Sequence, residues 1–282
     1  MSVLTFSTKI CGLSIDSEKP PHIMGILNLS PESFYKNSVR NNSSVLEAAQ
    51  KMIDDGASFL DVGARSTAPQ STPISVEEEK KRLFEALDIL AGNISVPISV
   101  DTMYADVADG ALRRGASMIN DISGLKADSR MGFVIADNDA CAVLMATRKI
   151  PGDPLGMDAV LSSLSNSISD AVQIGIDSNK IILDPAIGHW IPEKTAEYDF
   201  DILNQFEKLS VFEKPILVAI SRKSFLNSVI DKPAEERLLS GIAASSIAVY
   251  KGGHIIRTHD VAETADAVKV VHAIRTSKIP SV

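Results

Sequence analysis

Short apolar runs recur along this chain, and nearly every one stops on a polar or charged residue. They end at Ile26-Leu27-Asn28, Leu60-Asp61-Val62, Ser99-Val100-Asp101, Ile119-Asn120-Asp121, Val143-Leu144-Met145, Ile182-Leu183-Asp184, Ala219-Ile220-Ser221-Arg222-Lys223 and Ile255-Ile256-Arg257-Thr258-His259. Amphipathic stretches long enough for a helix separate them, which is the pattern of βα units building a parallel sheet. Eight such units predict an α/β fold, a single closed (β/α)8 barrel of the TIM type. The C-terminal strand ends of such a barrel form one mouth. The polar endings converge there, so the chain reads as an enzyme.

The chain has 282 residues, close to the roughly 250 typical of a single barrel domain, and 45% are hydrophobic, ample for one core. A net charge of -8 argues against general nucleic-acid binding, because affinity for a phosphate backbone needs a basic surface. Cys11 and Cys141 are the two cysteines. Neither has a C-x-x-C partner or a histidine at metal spacing, so both read as buried or incidental thiols. Met1 to Phe6 lacks the basic and long apolar regions of a signal peptide. No run approaches the roughly 20 apolar residues of a membrane span, and the expected location is cytoplasmic.

Residues 1–21 precede the repeat; Val3 to Ile10 and Leu13 to Ile15, around Cys11-Gly12, predict a β-hairpin capping the N-terminal end of a barrel that occupies 22–282. Strands are expected at His22–Leu29, Phe59–Ala64, Pro97–Asp101, Ser117–Ile122, Ala140–Met145, Lys180–Leu183, Pro215–Ile220 and His254–Arg257. Ser44 reads as the N-cap of the first helix. Further helices are expected at Val76–Leu90, up to Arg114, at Met131–Asp137, Asp158–Ile174, Asp199–Leu209, Glu235–Tyr250 and Val261–Ile274. The loops after the first two strands are long and polar.

At the mouth, basic residues gather on the last two strands: Arg222, Lys223, Arg257 and His259. This is the usual corner for phosphate in a barrel, where arginine forks grip oxygens and lysine acts as a point charge. The other reading is that they cap helices or pair with carboxylates. The opposite wall offers Asp101, Asn120, Asp121 and Asp184. A buried carboxylate needs donors, and the paired N–H groups of a 2-amino-4-oxopyrimidine would supply them. The combination suits a flat nitrogen heterocycle carrying a phosphate. Asn28 adds a neutral oxygen acceptable to Mg2+ when substrate phosphates complete its shell.

These residues also carry a family resemblance. Met24-Gly25-Ile26-Leu27-Asn28-Leu29-Ser30-Pro31-Glu32-Ser33-Phe34 resembles a signature of the dihydropteroate synthases, and so does Asp61-Val62-Gly63-Ala64-Arg65-Ser66-Thr67-Ala68-Pro69. Ile98 to Thr102, Ile119 to Ile122, Leu183-Asp184-Pro185, Ser221 to Phe225 and Arg257 to Val261 follow in the family's order. The resemblance implies condensation of 6-hydroxymethyl-dihydropterin diphosphate with p-aminobenzoate and release of diphosphate. It implies Asp101, Asn120, Asp184 and Lys223 as the pterin-holding residues, with Asp101, Asp184 and Lys223 in the catalytic set. Thr67, Met145, Ser221 and Arg222 join the substrate-binding set, Arg257 and His259 grip the leaving diphosphate, and Asn28 contacts Mg2+. It further implies a homodimer formed through the last helices and loops that close after the first two strands to keep water from a pterin cation.

The departures from the family pattern fall in loops. Arg65 stands where the family has glutamate and Ala68 where it has arginine; Leu144-Met145 is followed by Ala146-Thr147-Arg148-Lys149, and Gly188 by His189-Trp190. Two readings follow: drift in exposed loops, or a larger, phosphorylated arylamine read by Arg65, Arg148 and Lys149. His189 and Trp190 either stack on a ligand or close a loop. A pterin-dependent methyltransferase partnered by a corrinoid protein, and a non-catalytic pterin-binding protein, are the remaining function classes.

Overall fold

Alternation of side chains along the strands divides this barrel into a greasy floor and a polar mouth. The computed structural model describes residues 7–29, 42–65 and 74–277. A hairpin of β1 (Ser7–Ile10) and β2 (Leu13–Asp16) is antiparallel, with Ile10 paired to Leu13. The barrel strands are β3 (His22–Asn28), β4 (Phe59–Gly63), β5 (Ile98–Asp101), β6 (Met118–Asp121), β7 (Cys141–Met145), β8 (Ile181–Asp184), β9 (Leu217–Ala219) and β10 (Ile255–Thr258). They pair in the order β8-β7-β6-β5-β4-β3-β10-β9, and a parallel bridge from Leu183 to Ile216 joins the two ends into a ring. The chain is a TIM barrel with an N-terminal hairpin.

The helices are α1 (Asn42–Asp54), α2 (Val76–Leu90), α3 (Ala105–Leu112), α4 (Met131–Asp137), α5 (Met157–Ile174), α6 (Ala196–Asn204), α7 (Asn227–Ile230), α8 (Leu238–Tyr250) and α9 (Val261–Thr276). Local chemistry sets several ends. The Ser75 hydroxyl accepts from the Glu78 N–H at 3.1 Å, and Glu77, Glu78 and Glu79 crowd the first turn of α2, where negative charge complements the helix dipole. Gly175 ends α5 in the left-handed conformation at φ 111°, a C-terminal role that glycine fills without strain.

Some boundaries differ from the sequence reading. The first helix begins at Asn42, which places Ser44 in its first turn instead of at its cap. The helix expected over Asp199–Leu209 is α6 followed by a 3-10 helix, Phe206–Phe212, because Gln205 leaves the helical region and turns Phe206 and Leu209 into the core. Leu238 starts α8, after a separate 3-10 turn at Ala234–Glu236.

Ile10 and Ile15 of the hairpin are fully buried against Met24, Phe59, Met118, Ile182, Leu217 and Ile255, the inward residues at the strand starts. The hairpin thus plugs the floor. Cys11 and Cys141 are free thiols that meet in this plug, and the Cys11 Sγ donates to the Ser117 carbonyl at 3.4 Å. The outward residues of the strands, such as Leu60, Val100, Ile119 and Leu183, pack under the helices in a separate cluster. Among the described residues no helix is long and apolar enough to cross a membrane.

Truncating Ile15 to alanine leaves a cavity at the barrel floor that neighbouring strands cannot refill. The Ile15→Ala variant is expected to lose about 2–4 kcal/mol of unfolding free energy in urea titration, and a loss below about 0.5 kcal/mol would show that the hairpin is not a packed plug.

Candidate active site

The same alternation that sends Met24 and Phe59 into the floor sends Asn28, Asp61, Gly63, Asp101, Asn120, Asp184 and Arg257 into the barrel above it. Strand register then aligns them: Asn28 pairs with Gly63, Gly63 with Asp101, and Asp101 with Asn120. Met145 pairs with Asp184 on the far side and is fully buried.

The centre of this array is a residue that the sequence reading counted as a strand ending but not as a site residue. Asp61 is completely buried and accepts from Ser99 Oγ at 2.6 Å, Asn120 Nδ2 at 3.0 Å and Arg257 Nε at 2.6 Å. The Arg257 fork also donates to Asp101 Oδ2 at 2.9 Å. Burial opposes the charge on Arg257, but Asp61 and Asp101 outweigh it and hold the guanidinium above its usual pKa. Burial pushes the Asp101 carboxyl up to about 7; Arg257 pulls it down, while Asp61, Glu79 and Asp121 repel its charge. One arginine is therefore shared by two inward carboxylates.

Across the mouth, burial raises the Asp184 carboxyl, with Lys223 the strongest opposing influence. Asp184 Oδ1 accepts the Ala186 N–H at 2.7 Å. Lys223 donates to the Ile187 carbonyl and lies 5.1 Å above the Trp190 ring. Burial lowers the Lys223 ammonium to about 8. The lysine stem rests on Gly188, where a Cβ would come within 3.1 Å of Lys223 Cδ and where φ is +133°, a conformation open to glycine.

Several candidates sit differently from their sequence grouping. Asp121 points away from the other carboxylates, and accepts the N–H groups of Ser123 and Leu125, both at 2.8 Å; it builds the turn after β6. Arg222, at φ +58°, forks onto Asp260 at 3.0 and 2.5 Å. Lys223 and His259 remain turned to the mouth, where His259 Nδ1 lies 3.1 Å from Ser221 Oγ. Arg65 pairs with the buried Glu79 and lies 4.8 Å from the Tyr104 ring centre; Thr102 Oγ1 donates to the same Glu79 at 2.6 Å. Arg148 and Lys149 are exposed, and their backbone N–H groups are held by Asp153. Trp190 packs on Gly152, where a Cβ would overlap its ring at 2.2 Å. Thr67, Ala68 and the loops expected to close over the mouth lie outside the described residues.

The oxygen donors near Asn28 suit a hard cation. A Cβ on Gly63 would lie 3.8 Å from Asn28 Oδ1 and 3.9 Å from Asp101 Oδ2, so the missing side chain leaves a cradle between an amide oxygen and a carboxylate. Among the described residues no group of three His, Cys, Asp or Glu side chains is placed to hold a metal ion by itself. An ion here would draw most of its ligands from substrate and water, the habit of Mg2+.

Comparison with known proteins places this geometry. The pterin binding enzyme family matches residues 24–259. The dihydropteroate synthase of Bacillus subtilis is 39% identical over 253 residues, 89% of this chain and 88% of its own length. The Clostridium difficile dihydropteroate synthase solved in the presence of pteroic acid superposes with TM-score 0.84 at 33% identity, covering 91% of this chain and 97% of that one. The Xanthomonas albilineans dihydropteroate synthase solved with 4-aminobenzoic acid gives TM-score 0.85 at 29% identity, covering 98% and 100%.

The shared arginine makes a titration testable. Because the folded pKa of Asp101 lies above the usual carboxylate value, its contribution to stability is full at low pH and is lost as pH rises through about 7. Substituting Asp61→Asn removes a repelling charge and leaves Arg257 to Asp101 alone. A carboxyl-carbon NMR titration of the ligand-free protein is expected to show the Asp101 midpoint falling in that variant; an unmoved or higher midpoint contradicts the shared arrangement.

Proposed function

This chain belongs to the pterin-binding enzyme family and, within it, to the dihydropteroate synthases, and from that premise we propose how its mouth works. The reaction joins 6-hydroxymethyl-7,8-dihydropterin diphosphate to p-aminobenzoate and releases diphosphate. The observation that carries this reading is the convergence of two carboxylates, an amide and an ammonium, Asp101, Asp184, Asn120 and Lys223, inside one barrel mouth. They match the edge of a 2-amino-4-oxopteridine: carboxylates accept its N–H groups, and the lysine donates to a ring acceptor.

The bond from the pterin methylene to oxygen breaks with its electron pair going to diphosphate. The p-aminobenzoate nitrogen then forms the new C–N bond and releases a proton to solvent. As positive charge grows on the pterin, Asp184 and Asp101 stabilise it from fixed positions in a site of low polarity. Pterin N–H donors favour the ionised form of Asp101, so binding itself prepares that carboxylate. His259 and Ser221 border the side from which diphosphate leaves, and the permanently charged Arg257 lends its field. Asn28 would hold Mg2+ over the Gly63 cradle, with Asp101 beside it. When bound, that ion offsets charge on the leaving diphosphate.

The altered amine side is read as tolerant of plain p-aminobenzoate. Arg65, one of the three residues that could read a phosphorylated acceptor, is already engaged by Glu79 and Tyr104, while Arg148 and Lys149 stand exposed with only their backbone held by Asp153. We place the enzyme in the cytoplasm, acting on small molecules without nucleic acid or membrane. We also assign it a homodimer through α8 and α9, where Leu239, Ile247, Tyr250, Val270 and Ile274 are all more than half exposed; apolar surface of this density on adjacent helices suits a second copy.

Lys223→Ala and Asp184→Ala are each expected to weaken binding of the dihydropterin diphosphate by about a hundredfold in calorimetry, the loss of a hydrogen bond involving a charged group, with the thermal transition preserved. Affinity is also expected to decline as pH rises through about 8, where Lys223 gives up its proton. Unchanged affinity in both variants would remove the proposed pocket.

A further inference from the structure

Lys194 is among the largest completely buried side chains of the protein, an unusual place for an ammonium. Its Nζ donates to the Ala186 carbonyl at 2.5 Å and lies 3.6 Å from Asp199 Oδ1. Asp199, equally buried, accepts the Gly188 N–H at 2.7 Å through that oxygen, while its Oδ2 has no hydrogen-bond partner. The pair therefore holds both ends of the turn Ala186–Gly188, whose φ angles at those two residues are +59° and +133°. The carbonyl between the two grips, that of Ile187, is the one that receives Lys223. A further bond, His189 Nδ1 to the Lys194 carbonyl at 2.8 Å, ties the rest of the loop to the same lysine.

We propose that Lys194 and Asp199 are positioning residues for Lys223: the buried pair clamps the Ala186–Gly188 turn and so aims the Ile187 carbonyl and the bare Gly188 backbone at the lysine that holds the pterin. This inference rests on the reading of Lys223 as a pterin ligand. It explains why an ion pair is kept at a cost in desolvation. The turn is strained at Ala186, and a neutral apolar filler could not accept the Gly188 N–H or donate to the Ala186 carbonyl.

The clamp also reaches Lys223 through its charges. The groups facing Lys223 are Asp184 and Asp199, which favour its ammonium, and Arg257 and Lys194, which oppose it. Those facing Lys194 are Asp199, Asp184 and Asp153. Removing the Asp199 charge alone leaves Lys194 as an unbalanced cation near Lys223. Removing both charges cancels the electrostatic effect but not the loss of the clamp. Position and charge are thereby separable.

The test compares Asp199→Asn, the neutral pair Lys194→Met with Asp199→Asn, and Lys223→Ala, in steady-state turnover of dihydropterin diphosphate and p-aminobenzoate. Asp199→Asn is expected to raise KM for the pterin about tenfold, to change KM for p-aminobenzoate by less than about twofold, and to move the alkaline limb of the pH profile to lower pH. The neutral pair, which buries no unmatched charge, is expected to keep the raised pterin KM while its alkaline limb returns to that of the unaltered enzyme. Wild-type pterin KM in both variants overturns the proposal. So does a fall in melting temperature with both KM values raised together and the limb unmoved. Pterin binding that survives Lys223→Ala overturns the underlying reading of Lys223 instead.

Discussion

The Asp61 carboxylate is the contact on which the mouth depends. It takes hydrogen bonds from β5 through Ser99, from β6 through Asn120 and from β10 through Arg257. A buried carboxylate without such donors costs several kcal/mol; with them it becomes the fixed point that orients an amide and a guanidinium toward the cavity. Arg257 in turn bridges to Asp101. Asn120 and Asp101 are thus aimed by neighbours before any ligand arrives, and preorganised groups of this kind lower a barrier without reorganising during reaction.

The opposite side of the mouth is organised by backbone in place of a carboxylate hub. The loop after β8 folds back so that Asp184 caps Ala186, and Lys223 reaches across from the end of β9 to Ile187. Its strained component, a left-handed Ala186, sits beside a glycine at +133° that adopts this conformation freely, and Lys194 and Asp199 hold the groups at both ends of the turn. Two differently built walls therefore face one another. One fixes charge through an ion network, the other through a clamped turn.

Much of this was legible in the sequence because strand period and polar endings carry direct geometric meaning. Asp101, Asn120 and Asp184 each end an apolar run at an inward position, and they do converge. Asp121 ends the same run as Asn120, yet it faces outward and caps a turn, since neighbours on a strand point to opposite faces. Arg222 adjoins Lys223 in sequence, but a left-handed backbone swings it onto Asp260. Lys194 carries no sequence signal, because it follows a turn-rich loop where a lysine ordinarily faces solvent; burial alone sets it apart. Asp61 was visible as a strand ending, but its part as a hub depends on partners from three distant segments.

The central claim is that these two walls hold a pterin diphosphate for attack by an arylamine. Its most direct measurement is diphosphate release from 6-hydroxymethyl-7,8-dihydropterin diphosphate with Mg2+, in the presence and absence of p-aminobenzoate, with the product identified by mass. Release that requires p-aminobenzoate and yields dihydropteroate is the predicted result. Pterin binding without any condensed product would contradict it and leave the mouth a binding site without this chemistry.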